Sequence, residues 1–175
     1  GVSTPVTWRH ITAVNSDTDI TVNTNYTSNT SGRAYTICGA MPTGTQSSSV
    51  TMNNILYTSG QGVTAWSWDG TTQAWVTAYP AAKYSLIFKN YVFASGTAAN
   101  PSRVSWSTIL TPGTWPSTNF VDVSPNDGQN VVGMFSDNNA VVILKTRSAY
   151  RLTGDVFDPA NPTYTLTKIT TPSDF

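Results

Sequence analysis

The sequence predicts an all-β protein, and three observations carry that reading. Only 10% of the 175 residues are charged. The polar surface is therefore built from Thr, Ser, Asn and Gln, which are poor helix formers and suit strands and turns. Apolar residues nowhere recur at helical spacing over more than a few positions. Short β-branched and aromatic runs alternate instead with clusters of Gly, Pro, Asn and Asp. The ten prolines fall almost entirely between those runs, where a missing N–H does no harm.

Taken in order, the runs cover 6–14, 19–22, 33–38, 50–57, 63–68, 74–78, 84–88, 91–95, 103–107, 120–123, 131–135, 140–146, 149–153 and 164–170. The small, polar stretch AMPTGTQSSS reads as a linker. It divides the chain into a small β-unit over 1–40, a linker over 41–49 and a larger region over 50–175. The first unit would have Val14, Ile20, Val22, Tyr35 and Ile37 as its apolar set. The larger region holds five of the six tryptophans.

That region repeats itself. Asn53-Asn54, Lys89-Asn90 and Asn138-Asn139 each sit between two strand-like runs, MNNILYTSG, FKNYVFASG and DNNAVVILK. The polar pair supplies a tight turn, because Asn tolerates the left-handed conformation. A third strand follows in VTAWSWDG, SRVSWS and SAYRLTG, and a fourth in QAWVTA, NFVDVS and TYTLTKI. The anchors are 36 and 49 residues apart, and the longer spacing is taken up in loops. Four antiparallel strands recurring at that period are the signature of β-propeller blades, which bury one another's faces. Asp69-Gly70 closes a hairpin flanked by Trp66, Trp68 and Trp75. Trp66 and Trp68 share one face, read as packing on a neighbouring blade. Three blades do not close a propeller. The expected architecture is a partial β-propeller after a small N-terminal β-unit, with a β-sandwich as the alternative.

Chemistry is sparse. Lys plus Arg equals Asp plus Glu, nine each, so a polybasic nucleic-acid or membrane surface is not expected. No apolar run approaches the roughly 18 residues of a membrane-spanning helix. The single Cys38 makes no disulfide within the chain and reads as a small buried hydrophobe. The single His10 reads as a strand residue. The acids are Asp17, Asp19, Asp69, Asp122, Asp127, Asp137, Asp155, Asp158 and Asp174, with no Glu. All but Asp122 lie in or beside turns, where Asp caps its own backbone. A catalytic carboxylate pair is therefore not expected. Asp17/Asp19 and Asp155/Asp158 lack the spacing of a calcium loop. Arg103 opens a strand, and Asp122 or Asp127 is its candidate partner in a structural link. Trp115, in the loop TPGTWPSTN, could cap the core, dock into a partner or stack on a sugar. Asn25 and Asn29 fit glycosylation acceptor patterns of the kind that arise by chance in a Thr/Asn-rich chain. No catalytic, cofactor-binding or metal-binding residue is assigned, and no cofactor is expected.

The stretch from Lys89 to Asp155 resembles the propeller-like region of tailed-bacteriophage virion proteins of the tail or head–tail connector. The residues that carry this are Tyr91 to Ser95, Asn100-Pro101-Ser102-Arg103, Val104 to Ser107, Trp115-Pro116, Phe120-Val121-Asp122-Val123, Asp127-Gly128 and the run from Lys145 to Gly154. The segment ITAVNSDTDITVNTNYTSNTSGRAYTI resembles a small β-domain of the same kind of protein. That domain usually begins further upstream, which implies a missing N-terminal edge, and the start at Gly1 suits a processed or trimmed chain. The resemblance implies a non-enzymatic structural component of the virion. Its partners would be other virion subunits, in a homo-oligomeric ring or a larger assembly, without specific nucleic-acid binding or membrane insertion. The alternative is a carbohydrate- or receptor-binding module, an adhesin or lectin-like protein.

Overall fold

The computed structural model describes residues 11–16, 19–22, 45–155, 157 and 163–169. The chain divides into two compact units, Gly1–Thr36 and Ile37–Phe175. In the first, β1 (Ile11–Ser16) and β2 (Asp19–Val22) pair antiparallel, Ile11 opposite Val22 and Ser16 opposite Asp19. The strand expected over 33–38 lies outside the described residues, as do His10, Cys38, Asn25, Asn29, Tyr35 and Ile37.

In the second unit the described strands form three four-stranded antiparallel sheets, and no helix occurs among the described residues. Sheet I contains β3 (Ser47–Met52), β4 (Ile55–Gly60), β5 (Val63–Trp68) and β6 (Gln73–Val76). Sheet II contains β7 (Tyr84–Phe88), β8 (Tyr91–Ser95), β9 (Arg103–Trp106) and β10 (Phe120–Asp122). Sheet III contains β11 (Val131–Asp137), β12 (Ala140–Lys145), β13 (Ala149–Thr153) and β14 (Thr165–Ile169). Each sheet is a meander in which consecutive strands are hydrogen-bonded neighbours. The three sequence anchors are therefore the first turns of three equivalent sheets.

Two of those turns work as the sequence predicts. Asn53 and Asn54 have φ of 56° and 61°, and Lys89 and Asn90 have 47° and 64°. Positive φ at both central residues matches the right-handed twist of the flanking strands. The third turn differs. Asn138 and Asn139 close it without entering the left-handed region. Instead, the Asp137 carboxylate accepts the Asn138 backbone N–H at 2.8 Å. The single run over 50–57 divides at Asn53-Asn54 into β3 and β4. Strand β3 also begins at Ser47, inside the segment read as a linker. Its serines look like linker residues, yet they pair along β4, and the Ser49 and Thr58 hydroxyls bond across at 2.9 Å.

The sheets pack in series through alternate faces. Val50, Met52, Tyr57 and Ala65 of sheet I form one buried layer with Val92 and Ala94 of sheet II, closed by Tyr79 and Ala82. Phe88, Tyr91, Phe93, Val104 and Trp106, on the other face of sheet II, form a second layer with Val141, Ile143, Tyr150 and Leu152 of sheet III. Phe157 plugs this second layer. Its ring meets Phe93 edge-on at 5.0 Å and Trp106 at 5.8 Å, and its carbonyl accepts the Trp106 indole N–H at 2.6 Å. Gly154 lets the chain turn back there. A Cβ at that position would sit 2.7 Å from the Tyr164 Cα.

Trp66 and Trp68 do share a face, but it is the face turned away from sheet II. Alternation places Ala65, fully buried, on the packed side and the two indoles on the other. The volume between sheets I and II is filled by Tyr57 and Tyr79 instead.

Truncating the centre of the second layer, Trp106→Ala, is expected to destabilise the protein by about 3–5 kcal/mol. Truncating exposed Ile109 should stay within about 0.5 kcal/mol, and chemical denaturation compares the two. Tyr79 gives a test of opposite sign. Burial pushes its phenol up to about 12, against the opposing pull of the Ser85 and Ser59 hydroxyls, with which it makes no close hydrogen bond. Tyr79→Phe keeps the ring and removes a buried, weakly paired phenol, so the thermal midpoint is expected to stay unchanged or rise.

Candidate functional site

The polar side chains of the second unit concentrate where sheets meet. Lys145, at the end of β12, is fully buried. Its ammonium donates to the carbonyls of Val123 (2.7 Å) and Ser124 (3.0 Å), just after β10, and to the Asp127 carboxylate (2.7 Å). All three ammonium protons are thus used, which is the condition for burying such a charge. Asp127 also accepts the Gln129 backbone N–H at 2.9 Å. The Gln129 side-chain oxygen in turn accepts the Arg147 N–H at 2.7 Å. The loop after β10 is thereby fastened to the turn after β12. The Lys145 hydrogen bond, aided by that of Gln129, holds the Asp127 carboxyl below its ordinary range.

Two further links join neighbouring sheets at equivalent places. Asn53, in the first turn of sheet I, donates through Nδ2 to the Leu110 carbonyl after β9, at 3.0 Å. Lys89, in the same turn of sheet II, donates to the Gly154 carbonyl after β13 at 2.9 Å and to Asn139 at 3.1 Å. It is also ion-paired with Asp155.

Arg103 finds one of its two candidate partners. Its Nε and Nη2 bond Asp122 at 2.8 and 2.9 Å in a bidentate pair. The reason is register, since Arg103 lies directly opposite Asp122 between β9 and β10. The other candidate, Asp127, belongs to Lys145. The Arg103 guanidinium also lies 3.6 Å from the centre of the Phe120 ring. Its hydrogen bond draws the Asp122 carboxyl below its usual range.

Two shallow depressions flank this pair. One, of about 310 Å³, is lined by Trp115, Phe120, Arg103, Asn100, Ser105 and Asn119 among others. The second, of about 220 Å³, lies against Arg103, Asp122, Pro101 and Asn126. Trp115 is half-buried. Its indole N–H donates to the Pro112 carbonyl at 2.7 Å, and its ring lies 4.6 Å from Tyr79. It caps the layer between sheets I and II and offers its remaining surface to the larger depression.

Every acid whose side chain is described has a donor. Asp69 accepts the backbone N–H groups of Thr72 and Thr71 at 2.7 and 2.8 Å, and these hydrogen bonds lower its pKa. Asp137 caps its own turn, and Asp122, Asp127 and Asp155 are ion-paired. Among the described residues, no cluster of three or more His, Cys, Asp or Glu could hold a metal ion. Asp17, Asp158 and Asp174 lie outside them.

The three-sheet series leaves two outer faces. On sheet III, Phe135 (49% exposed), Leu144 and Ile169 share the face turned away from sheet II. On sheet I, Trp66, Trp68 and Trp75 (58% exposed) share the face turned away from sheet II. The signal was present in the strand alternation, which makes both faces of each repeat apolar. No protein-family model matches the chain, and no curated protein sequence matches it.

Two outcomes check the electrostatic reading. Asp122 and Asp127 have depressed pKa values in the folded state. Their stabilisation is present above the ordinary carboxylate pKa of about 4 and is lost as pH falls through the depressed values. Acid titration should show stability falling below about pH 4, and Asp122→Asn should flatten part of that fall. Lys145→Met should destabilise far more than Lys89→Met, because the Lys145 side chain is fully buried with its partners and that of Lys89 is partly exposed.

Proposed function

We propose that this chain is a non-enzymatic structural component of a tailed-phage particle, in the tail or head–tail connector. It acts through contacts between its sheet faces and neighbouring subunits in the virion. The observation that carries this reading is the pair of apolar outer faces at the two ends of a three-sheet series. Large apolar patches on a protein surface mark interaction sites. With four Lys and no Glu, the chain has few gatekeepers against association through the strand edges. The carboxylates serve as turn caps and ion-pair partners, a use that leaves no free pair for acid–base chemistry among the described side chains.

We read the sheets as consecutive blades of an open propeller. A two-sheet sandwich buries one face of each sheet, whereas sheet II is packed on both faces. The sheets also approach one another most closely along their first strands, β3 to β7 and β7 to β11. This supports the blade reading, in which the first strand is innermost.

A second reading, a carbohydrate- or receptor-binding module, is favoured by one observation. The 310 Å³ depression combines the Trp115 and Phe120 rings with the amides of Asn100 and Asn119.

Mass spectrometry of intact particles, with an image locating the protein, tests the first reading, and its presence at fixed stoichiometry in a tail or connector is the expected result. Glycan-array binding that disappears on Trp115→Ala would move the assignment to the second.

A further inference from the structure

We infer that the two depressions beside the Arg103–Asp122 pair form one trough, and that it takes an extended, uncharged, proline-bearing peptide segment of a neighbouring protein. The inference goes beyond the sheet-face contacts proposed above. It concerns a different surface and does not depend on how many sheets stand in series.

Strand register places the trough. Val104 and Trp106 belong to the aromatic layer shared with sheet III. Alternation along β9 therefore puts Arg103 and Ser105 on the other face. Phe120 of β10 stands opposite Ser105, and Asp122 opposite Arg103. On its other side Ser105 is paired with Ala94 of β8, which lies in the layer shared with sheet I. The strip made by β9 and β10 continues that face outward, past Tyr79 and Trp115 at the margin of the layer. Pro80, in the loop after β6, and Pro116 flank the larger depression. The smaller depression adjoins it through Asn100 and Arg103, which line both, and adds Pro101 and Pro125.

Asn119 is the residue that points to a ligand. It is 8% exposed. Its backbone is fully used, the N–H donating to the Pro116 carbonyl and the carbonyl accepting the Trp106 N–H, both at 3.0 Å. Its side-chain amide makes no hydrogen bond among the described residues, and it is not sealed from water. The opening available to it is the depression it lines. A nearly buried amide left unpaired by the protein is costly unless something from outside completes it. Arg103 repeats the pattern. Its Nε and Nη2 are spent on Asp122, whereas Nη1 has no hydrogen-bond partner among the described residues. The Ser105 hydroxyl and the exposed Asn100 amide are free in the same sense. The trough is therefore rich in donors, and it carries no net charge because Asp122 neutralises Arg103. Uncharged acceptors, the carbonyls of a peptide, match it.

The walls narrow the choice. Phe120 gives one ring face to the Arg103 guanidinium at 3.6 Å, and Trp115 packs on Tyr79 at 4.6 Å. What the two rings offer the trough is partial surface, set between prolines. A polyproline II segment fits such walls. Its carbonyls are unpaired, its rings pack on aromatic and proline surface, and its preformed backbone loses little entropy on binding. A sugar ring stacks flat on an open aromatic face and needs acceptors for its hydroxyl protons, so it is matched less well.

Titration of the isotope-labelled full chain with acetyl-hexaproline amide, followed by NMR, tests this. The expected result is a saturable shift of the Asn119 side-chain amide and of the Trp115 indole N–H, with the backbone signals of β14 unmoved. Asn119→Ala should weaken binding about fivefold, the worth of one hydrogen bond. Asn100→Ala changes an exposed side chain that bonds no described residue, should weaken binding by a similar factor, and keeps the test open if Asn119→Ala fails to fold. No saturable shift at these side chains would overturn the inference. So would an affinity unchanged by Asn119→Ala, or by Asn100→Ala where the first variant does not fold. Saturable shifts of the same signals with methyl glucopyranoside and none with the peptide would also overturn it and pass the trough to the sugar-binding reading. None of the peptide results bears on whether the protein is found in phage particles, which imaging decides separately.

Discussion

The second unit depends on the burial of sheet II on both faces. A single four-stranded meander has two apolar faces and too little volume to cover either by itself. Here the face bearing Val92 and Ala94 is covered by sheet I, and the face bearing Phe93, Val104 and Trp106 by sheet III. All five side chains of β8 are buried in consequence, which is unusual for an antiparallel strand and resembles the two-sided burial of parallel sheets. The two layers differ in composition. The layer toward sheet I is thin, built on Ala65, Ala82 and Ala94 with Tyr57 and Tyr79 as filler. The layer toward sheet III is thick and aromatic. Phe88, Tyr91, Phe93, Trp106, Phe157 and Tyr164 form a continuous set of edge-on and stacked rings. Such pairs add directional preference to area burial, so this layer fixes how sheets II and III meet.

The polar groups act on the same joints. Lys145, Lys89 and Asn53 each reach from one sheet to a carbonyl or carboxylate of another, at the loops where a packed sheet would otherwise leave acceptors unpaired. Few charges are present, and Lys89, Lys145, Asp127 and Asp155 are spent on this fastening. A chain poor in charge and rich in fastened loops presents rigid faces.

The repeat was legible because its anchors are short and polar between apolar runs. Asn53-Asn54 and Lys89-Asn90 announce a turn by composition, and the strands on either side follow from them. The pairing of Arg103 was only half legible. Asp122 and Asp127 stood as equal candidates, because the chain between β9 and β10 is long and fixes no register in advance. Face assignment was the least legible feature. Trp66 and Trp68 drew the eye as the packing face of their strand, yet Ala65 occupies the buried side, since the space between sheets I and II is set by Tyr57 and Tyr79. Phe157 was invisible for a different reason. It lies in no strand-like run, and its place at the centre of the aromatic layer depends on the return of the chain past Gly154.

The central claim is that three equivalent sheets pack in series, with the middle one enclosed. Amide hydrogen exchange resolved by strand tests it most directly, because enclosed strands open only with the whole unit. The account predicts the slowest exchange in β8 and β12, with β6 and β14, the outermost fourth strands, exchanging fastest. Exchange in β8 as fast as in β6 would contradict it, since sheet II would then have a face open to water.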